Sequence, residues 1–85
     1  MNKGFSIQFV AKITGINAHT IRAWEKRYQA VVPDRSETGK RLYNQDNVER
    51  LKRLNELVKL GNSISDIANL EDENLEEMYV KYVGN

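Results

Sequence analysis

The stretch Asn17-Ala18-His19-Thr20-Ile21-Arg22-Ala23-Trp24-Glu25-Lys26-Arg27-Tyr28 carries two patterns at once. Ile21, Trp24 and Tyr28 recur at steps of three and four, which puts them on one apolar face of a helix. Arg22 and Lys26 stand four apart and point together from another face, with Thr20, Ala23 and Arg27 on the same broad surface. Asn17 precedes the first periodic residue as an N-cap. Upstream, Ser6 is the cap for a shorter helix with Ile7, Val10 and Ala11 at helical spacing, and Gly15 suits the position just past its end. Gly15, Ile16 and Asn17 are then a tight turn. Two short helices joined by such a turn form the helix-turn-helix motif, whose second helix enters the DNA major groove.

Downstream, Ala30 to Tyr43 holds the single Pro, Pro33, and the pair Thr38-Gly39 between Val31-Val32 and Leu42-Tyr43. This reads as a hairpin with Gly39 supplying the positive backbone dihedral of the turn, and with Arg35, Lys40 and Arg41 clustered around the tip as a basic wing. Asn44 or Asp46 caps a third helix in which Val48, Leu51, Leu54, Leu57, Val58 and Leu60 recur before Gly61. Ser63 or Ser65 opens a short fourth helix with Ile64, Ile67, Ala68 and Leu70. After the acidic break Glu71 to Asn74, Leu75, Met78, Tyr79 and Tyr82 form one more apolar stripe. The expected fold is mainly α: a winged helix-turn-helix with a short β-hairpin wing and additional C-terminal helices. Residues 1–70 are the expected DNA-binding domain, and residues 71–85 an acidic C-terminal helix or linker.

With 85 residues, one small core is the most the chain can build. It has no Cys, so neither disulfides nor a thiolate metal site are available, and a reducing cytoplasm fits. The start, MNKGFSIQFVAK, has no apolar run of signal-peptide length, and no stretch approaches a membrane span. The net charge of +1 is a cancellation. Residues 1–60 carry twelve Lys and Arg against six Asp and Glu, whereas residues 61–85 carry one Lys against six acids. A basic body of this kind fits a polyanion, of which nucleic acid is the simplest.

The run Thr20-Ile21-Arg22-Ala23-Trp24-Glu25-Lys26-Arg27-Tyr28 resembles the recognition helix of the MerR family of bacterial transcription regulators. Pro33, Arg35, Gly39, Arg41 and Tyr43 follow in the order and approximate spacing of that family's wing, and Asp46, Val48 and Leu51 match the start of its next helix. The resemblance covers roughly Phe5 to Leu70. The Arg-Ala-Trp-Glu-Lys-Arg-Tyr version is similar to the light- and cobalamin-responsive repressors, where this domain precedes a cobalamin-binding module. Ala23 and Lys40 depart from the family pattern, which leaves base preference at those two positions open.

The resemblance and the charge pattern imply sequence-specific binding of double-stranded DNA for transcriptional regulation, with no cofactor. The expected DNA-binding residues are Asn17, His19, Thr20, Arg22, Ala23, Lys26 and Arg27 on the second helix and its cap. Arg35, Lys40, Arg41 and Tyr43 join them from the wing, with packing beneath the wing as the other reading of Tyr43. Glu25 faces phosphates badly and is expected to pair with a neighbouring base. The expected partner is a palindromic operator met by two copies, through a homodimer formed on DNA or through a further domain. One His, no Cys and no Gly-rich phosphate loop argue against an enzyme. A protein-interaction module on the same fold, or an excisionase-like protein that bends DNA, are the alternatives.

Overall fold

The computed structural model describes residues 4–82, and the outermost residues of the two expected units, 1–3 and 83–85, lie outside it. Helix α1 spans Ile7–Thr14 and α2 spans Ala18–Tyr28. The Ser6 side chain accepts from the Phe9 N–H, and Gly15 closes α1 in the left-handed region. Within the turn, the Thr14 hydroxyl donates to the Val10 carbonyl at 2.7 Å and accepts from the Ile16 N–H at 3.2 Å. Ile16 is thereby turned into the core, and Asn17 Oδ1 accepts from the His19 N–H at 2.7 Å to start α2. The wing consists of β1 (Asp34–Arg35) and β2 (Arg41–Leu42), antiparallel, with Asp34 opposite Leu42 and Arg35 opposite Arg41.

Helix α3 (Gln45–Lys59) is the longest element. Asn44 and Asn47 cap its start reciprocally, each side chain accepting from the other's backbone N–H. Val48, Leu51, Leu54 and Leu57 form its buried face, against which α1, α4 (Ile64–Ile67) and α5 (Asp72–Tyr82) pack. Ile21 and Trp24 of α2 belong to the same core, and so does Leu75 of α5. The architecture is therefore mainly helical with a hairpin wing, the winged helix-turn-helix expected from sequence.

The structure departs from the sequence reading or adds to it at several points, one being that α5 starts at Asp72, inside the stretch Glu71 to Asn74 read as an acidic break. The hairpin is narrower than Ala30 to Tyr43, because Ala30 and Val31 enter the core and only two residues pair on each side. Helix α2 ends on Gln29 in the left-handed region at φ 53°, without the glycine that usually marks such an end. Leu60 and Tyr82, read as members of apolar stripes, are exposed, since Leu60 stands just past the end of α3 and Tyr82 is the last residue of α5.

Two further contacts hold the wing and the C-terminal helices in place. Phe5 and Tyr43 exchange both backbone hydrogen bonds, at 2.7 and 2.9 Å, so the segment before α1 braces the base of the wing. Gly4 permits this approach, since a β-carbon there would sit 2.4 Å from Leu42 Cβ. Arg50 of α3 donates to the carbonyls of Ala30, Ala68 and Leu70 and to the Asp72 carboxylate. One guanidinium thus joins the end of α2 to the start of α5. Among the described residues no helix is long and apolar enough to cross a membrane.

Candidate nucleic-acid interface

Packing decides which side of α2 is available. Burying Ile21 and Trp24 leaves Arg22, Lys26, Arg27 and His19 exposed, with Thr20 and Ala23 half-buried at the edges. The spacing of four places Arg22 and Lys26 one turn apart on this outer side. Neither they nor Arg27 and Lys40 form an ion pair among the described residues. Asn17 is committed to capping through Oδ1, while its neighbour His19 stands exposed at the helix start, where backbone N–H groups and the helix dipole favour an anion.

The wing tip is ordered by its own hydrogen bonds. The Ser36 N–H donates to the Lys40 carbonyl at 2.8 Å, and Arg35 Nη1 donates to the Gly39 carbonyl at 3.1 Å. Gly39 takes φ 87°, as the turn requires. This leaves the Lys40 side chain projecting into solvent, while Arg35 is exposed but folded back along the hairpin.

Arg22 of α2 and Lys40 and Arg41 of the wing meet at a single cleft, completed by Ser6, Ile7 and Gln8 at the start of α1. Gln8 also lines a second groove beside Lys12, Gly15 and Asn17, on the outside of the helix-turn-helix turn. Gln8 was not among the residues expected from sequence. Its one signal is a polar residue in the first turn of α1, off the apolar stripe, and only the fold places it between the two grooves.

Tyr43 requires a correction. Of its two readings, DNA contact and packing beneath the wing, the structure has the second, with the ring fully buried. Its hydroxyl lies 3.5 Å from Glu25 Oε1, and its pKa is pushed up to about 12, first by burial and then by the Glu25 charge. A ring without exposed surface has no face to offer a phosphate. Arg41 is also less available than its position at the tip implied, because its Nε donates to Glu25 Oε1 at 2.6 Å. The base that Glu25 was expected to find is this wing arginine.

Glu71, Asp72, Glu73, Glu76 and Glu77 are all exposed around α5, and none of them lines the grooves that hold Arg22, Lys40 and Lys12. Among the described residues no cluster of three or more His, Asp or Glu side chains is arranged to hold a metal ion.

The family model described as MerR HTH family regulatory protein matches residues 5–74. The HTH-type transcriptional repressor CarH of Myxococcus xanthus is 34% identical over 80 residues, covering 94% of this chain and 27% of that protein. The HTH-type transcriptional repressor CarA of the same organism is 40% identical over 70 residues, covering 79% of this chain and 24% of that protein. The mercuric resistance operon regulatory protein of Bacillus cereus is 35% identical over 66 residues, covering 78% of this chain and 50% of that protein. The chain thus spans about a quarter to a half of the length of these curated relatives.

Proposed function

Because the chain belongs to the MerR family of helix-turn-helix regulatory proteins, we propose that it binds double-stranded DNA sequence-specifically and acts in transcriptional regulation. Helix α2 enters the major groove, and the wing rests on the adjacent phosphate backbone. The observation that carries this reading is the convergence of Arg22, on the exposed side of α2, with the wing residues Lys40 and Arg41 on one cleft. The resemblance to named transcriptional repressors, rather than to enzymes, supports it.

The side chains divide by role. Arg22 and Lys26 reach base edges or phosphates from the exposed side of α2, and Ala23 and Thr20 flank them. His19, Arg27, Arg35 and Lys40 grip the backbone, with Asn17 holding the helix start against it. A winged helix alone buries only about 600–1,000 Å² of protein surface on DNA, so one copy binds weakly. Tight binding therefore uses two copies on a palindromic operator, and a cytoplasmic location follows from such a target.

Arg22→Ala and Lys40→Ala test the division on a duplex that the wild type selects from a random pool. Arg22→Ala is expected to cost about 1–3 kcal/mol and to relax sequence preference, whereas Lys40→Ala weakens all sequences alike. Equal, sequence-independent losses for both would contradict the assignment.

A further inference from the structure

Glu25 sits on α2 between its buried stripe and its basic side. One of its oxygens is shared: Oε1 accepts from Arg41 Nε at 2.6 Å and lies 3.5 Å from the Tyr43 hydroxyl. Arg41 on β2 and Tyr43 just past its end are two residues apart, and both reach Glu25 from the same side of the wing. Both therefore meet the recognition helix at the same atom. The pair is shielded, with side-chain exposures of 14% for Glu25 and 31% for Arg41, and the Tyr43 phenol stands beside it. An ion pair with supporting hydrogen bonds in such a setting holds its geometry better than an exposed pair of long side chains.

The wing needs such a hold. Its strands are two residues each, and a two-stranded hairpin of that length is unstable by itself. Its base is braced by the Phe5–Tyr43 backbone bonds and by the Tyr43 ring, which shares the core with Ile21 and Trp24 of α2. Among the described residues, Glu25 is the α2 side chain that hydrogen-bonds to the wing itself.

We infer that Glu25 is a positioning residue, holding the wing at a set distance from the recognition helix through Arg41 and Tyr43 so that both elements fit one duplex. Arg41 accordingly acts through this tether and not as a freely placed phosphate contact. The inference deepens the DNA-binding reading and rests on it.

The consequence has a sign opposite to simple electrostatics. A carboxylate beside phosphate-binding cations repels DNA, so removing it by charge alone tightens binding to every duplex. If Glu25 positions the wing, Glu25→Ala instead loses affinity for a site that requires helix and wing together, while the released Arg41 maintains or raises affinity for random DNA. Glu25→Gln retains an oxygen that accepts from Arg41 and keeps part of the effect.

The test uses wild type, Glu25→Ala and Glu25→Gln. Amide exchange without DNA reads the wing directly at Ser36, Lys40 and Tyr43, whose N–H groups are bonded within or beneath it. In Glu25→Ala these amides are expected to exchange at least about tenfold faster relative to α3, with Glu25→Gln between. Affinity for the duplex selected by wild type is expected to fall about tenfold in Glu25→Ala, with random-duplex affinity unchanged or higher. Unchanged wing exchange, or equal tightening on both duplexes, overturns the proposal. Faster wing exchange in a protein that binds neither duplex keeps the tether and removes the DNA-binding reading beneath it. Should Glu25→Ala not fold, Glu25→Gln and Tyr43→Phe carry the same exchange comparison.

Discussion

A phenol buried under a hairpin with a carboxylate beside its oxygen resists ionisation, and Tyr43 makes that resistance measurable. Its pKa rises from 10.0 to about 12 in the folded protein. The phenol is neutral below its pKa, so the fold is fully supported by this group below pH 10, and that support drains away as pH rises through 12. On the order of 2 kcal/mol of stability should be lost between pH 10 and 12 through Tyr43, and Tyr43→Phe should lack that portion. Urea unfolding of both proteins at several alkaline pH values measures it, and parallel losses in the two would contradict the burial. The same residue shows how far single side chains are legible in the sequence. Order and spacing place Tyr43 at the wing, but whether its ring faces DNA or core depends on Phe5 and Glu25, which come from distant parts of the chain.

At the scale of elements, the starts of α1, α2 and α3 were legible because capping is local, whereas α5 starts at Asp72 inside the stretch read as an acidic break. Ser6, Asn17 and Asn44 each accept a backbone N–H two or three residues ahead, and short-range chemistry of that kind is written in the sequence. The end of α2 was not legible, because Gln29 occupies the left-handed region where glycine is the usual signal. For a residue with a β-carbon that conformation costs about 1–2 kcal/mol, against about 0.5–1 kcal/mol of extra chain entropy lost by glycine. Gln29→Gly should therefore stabilise the protein slightly, by up to about 1 kcal/mol, and Gln29→Val should destabilise it. Thermal unfolding measures both, and a loss of stability in Gln29→Gly would show that the Gln side chain contributes something the backbone argument omits. The wing strands came out shorter than expected for a related reason. Val31 is apolar because it fills the core, and apolar character alone does not distinguish a strand from a buried connection.

At the scale of the molecule, the apolar periodicity of α3 was enough to anticipate a central helix, since Val48, Leu51, Leu54 and Leu57 all turned out to be buried. The joint that Arg50 makes was not anticipated. A basic residue on an otherwise polar helix face reads as solvated, and three of its four partners are carbonyl oxygens that no side-chain pattern reveals. Arg50→Met keeps much of the stem but leaves these half-buried carbonyls unbonded. It should cost about 3 kcal/mol, a fall in Tm on the order of 15 °C, and should release α5 from the end of α2. Calorimetry together with amide exchange in α5 measures this, and an unchanged Tm would mean that water replaces the guanidinium without penalty. The basic cleft between α2 and the wing gives the proposed function its clearest physical signature at this scale. Protein cations that neutralise phosphates release counterions, so affinity falls with salt by a log–log slope of about 0.9 per phosphate contacted. The most direct measurement is a salt titration of binding to random-sequence duplex DNA by wild type and by the Arg22→Ala, Lys40→Ala double variant. A steep negative slope for wild type, reduced by about one in the variant through the lost Lys40 phosphate contact, is the expected result. No binding at low salt, or binding with no dependence on salt, would contradict the reading of this surface as a DNA interface.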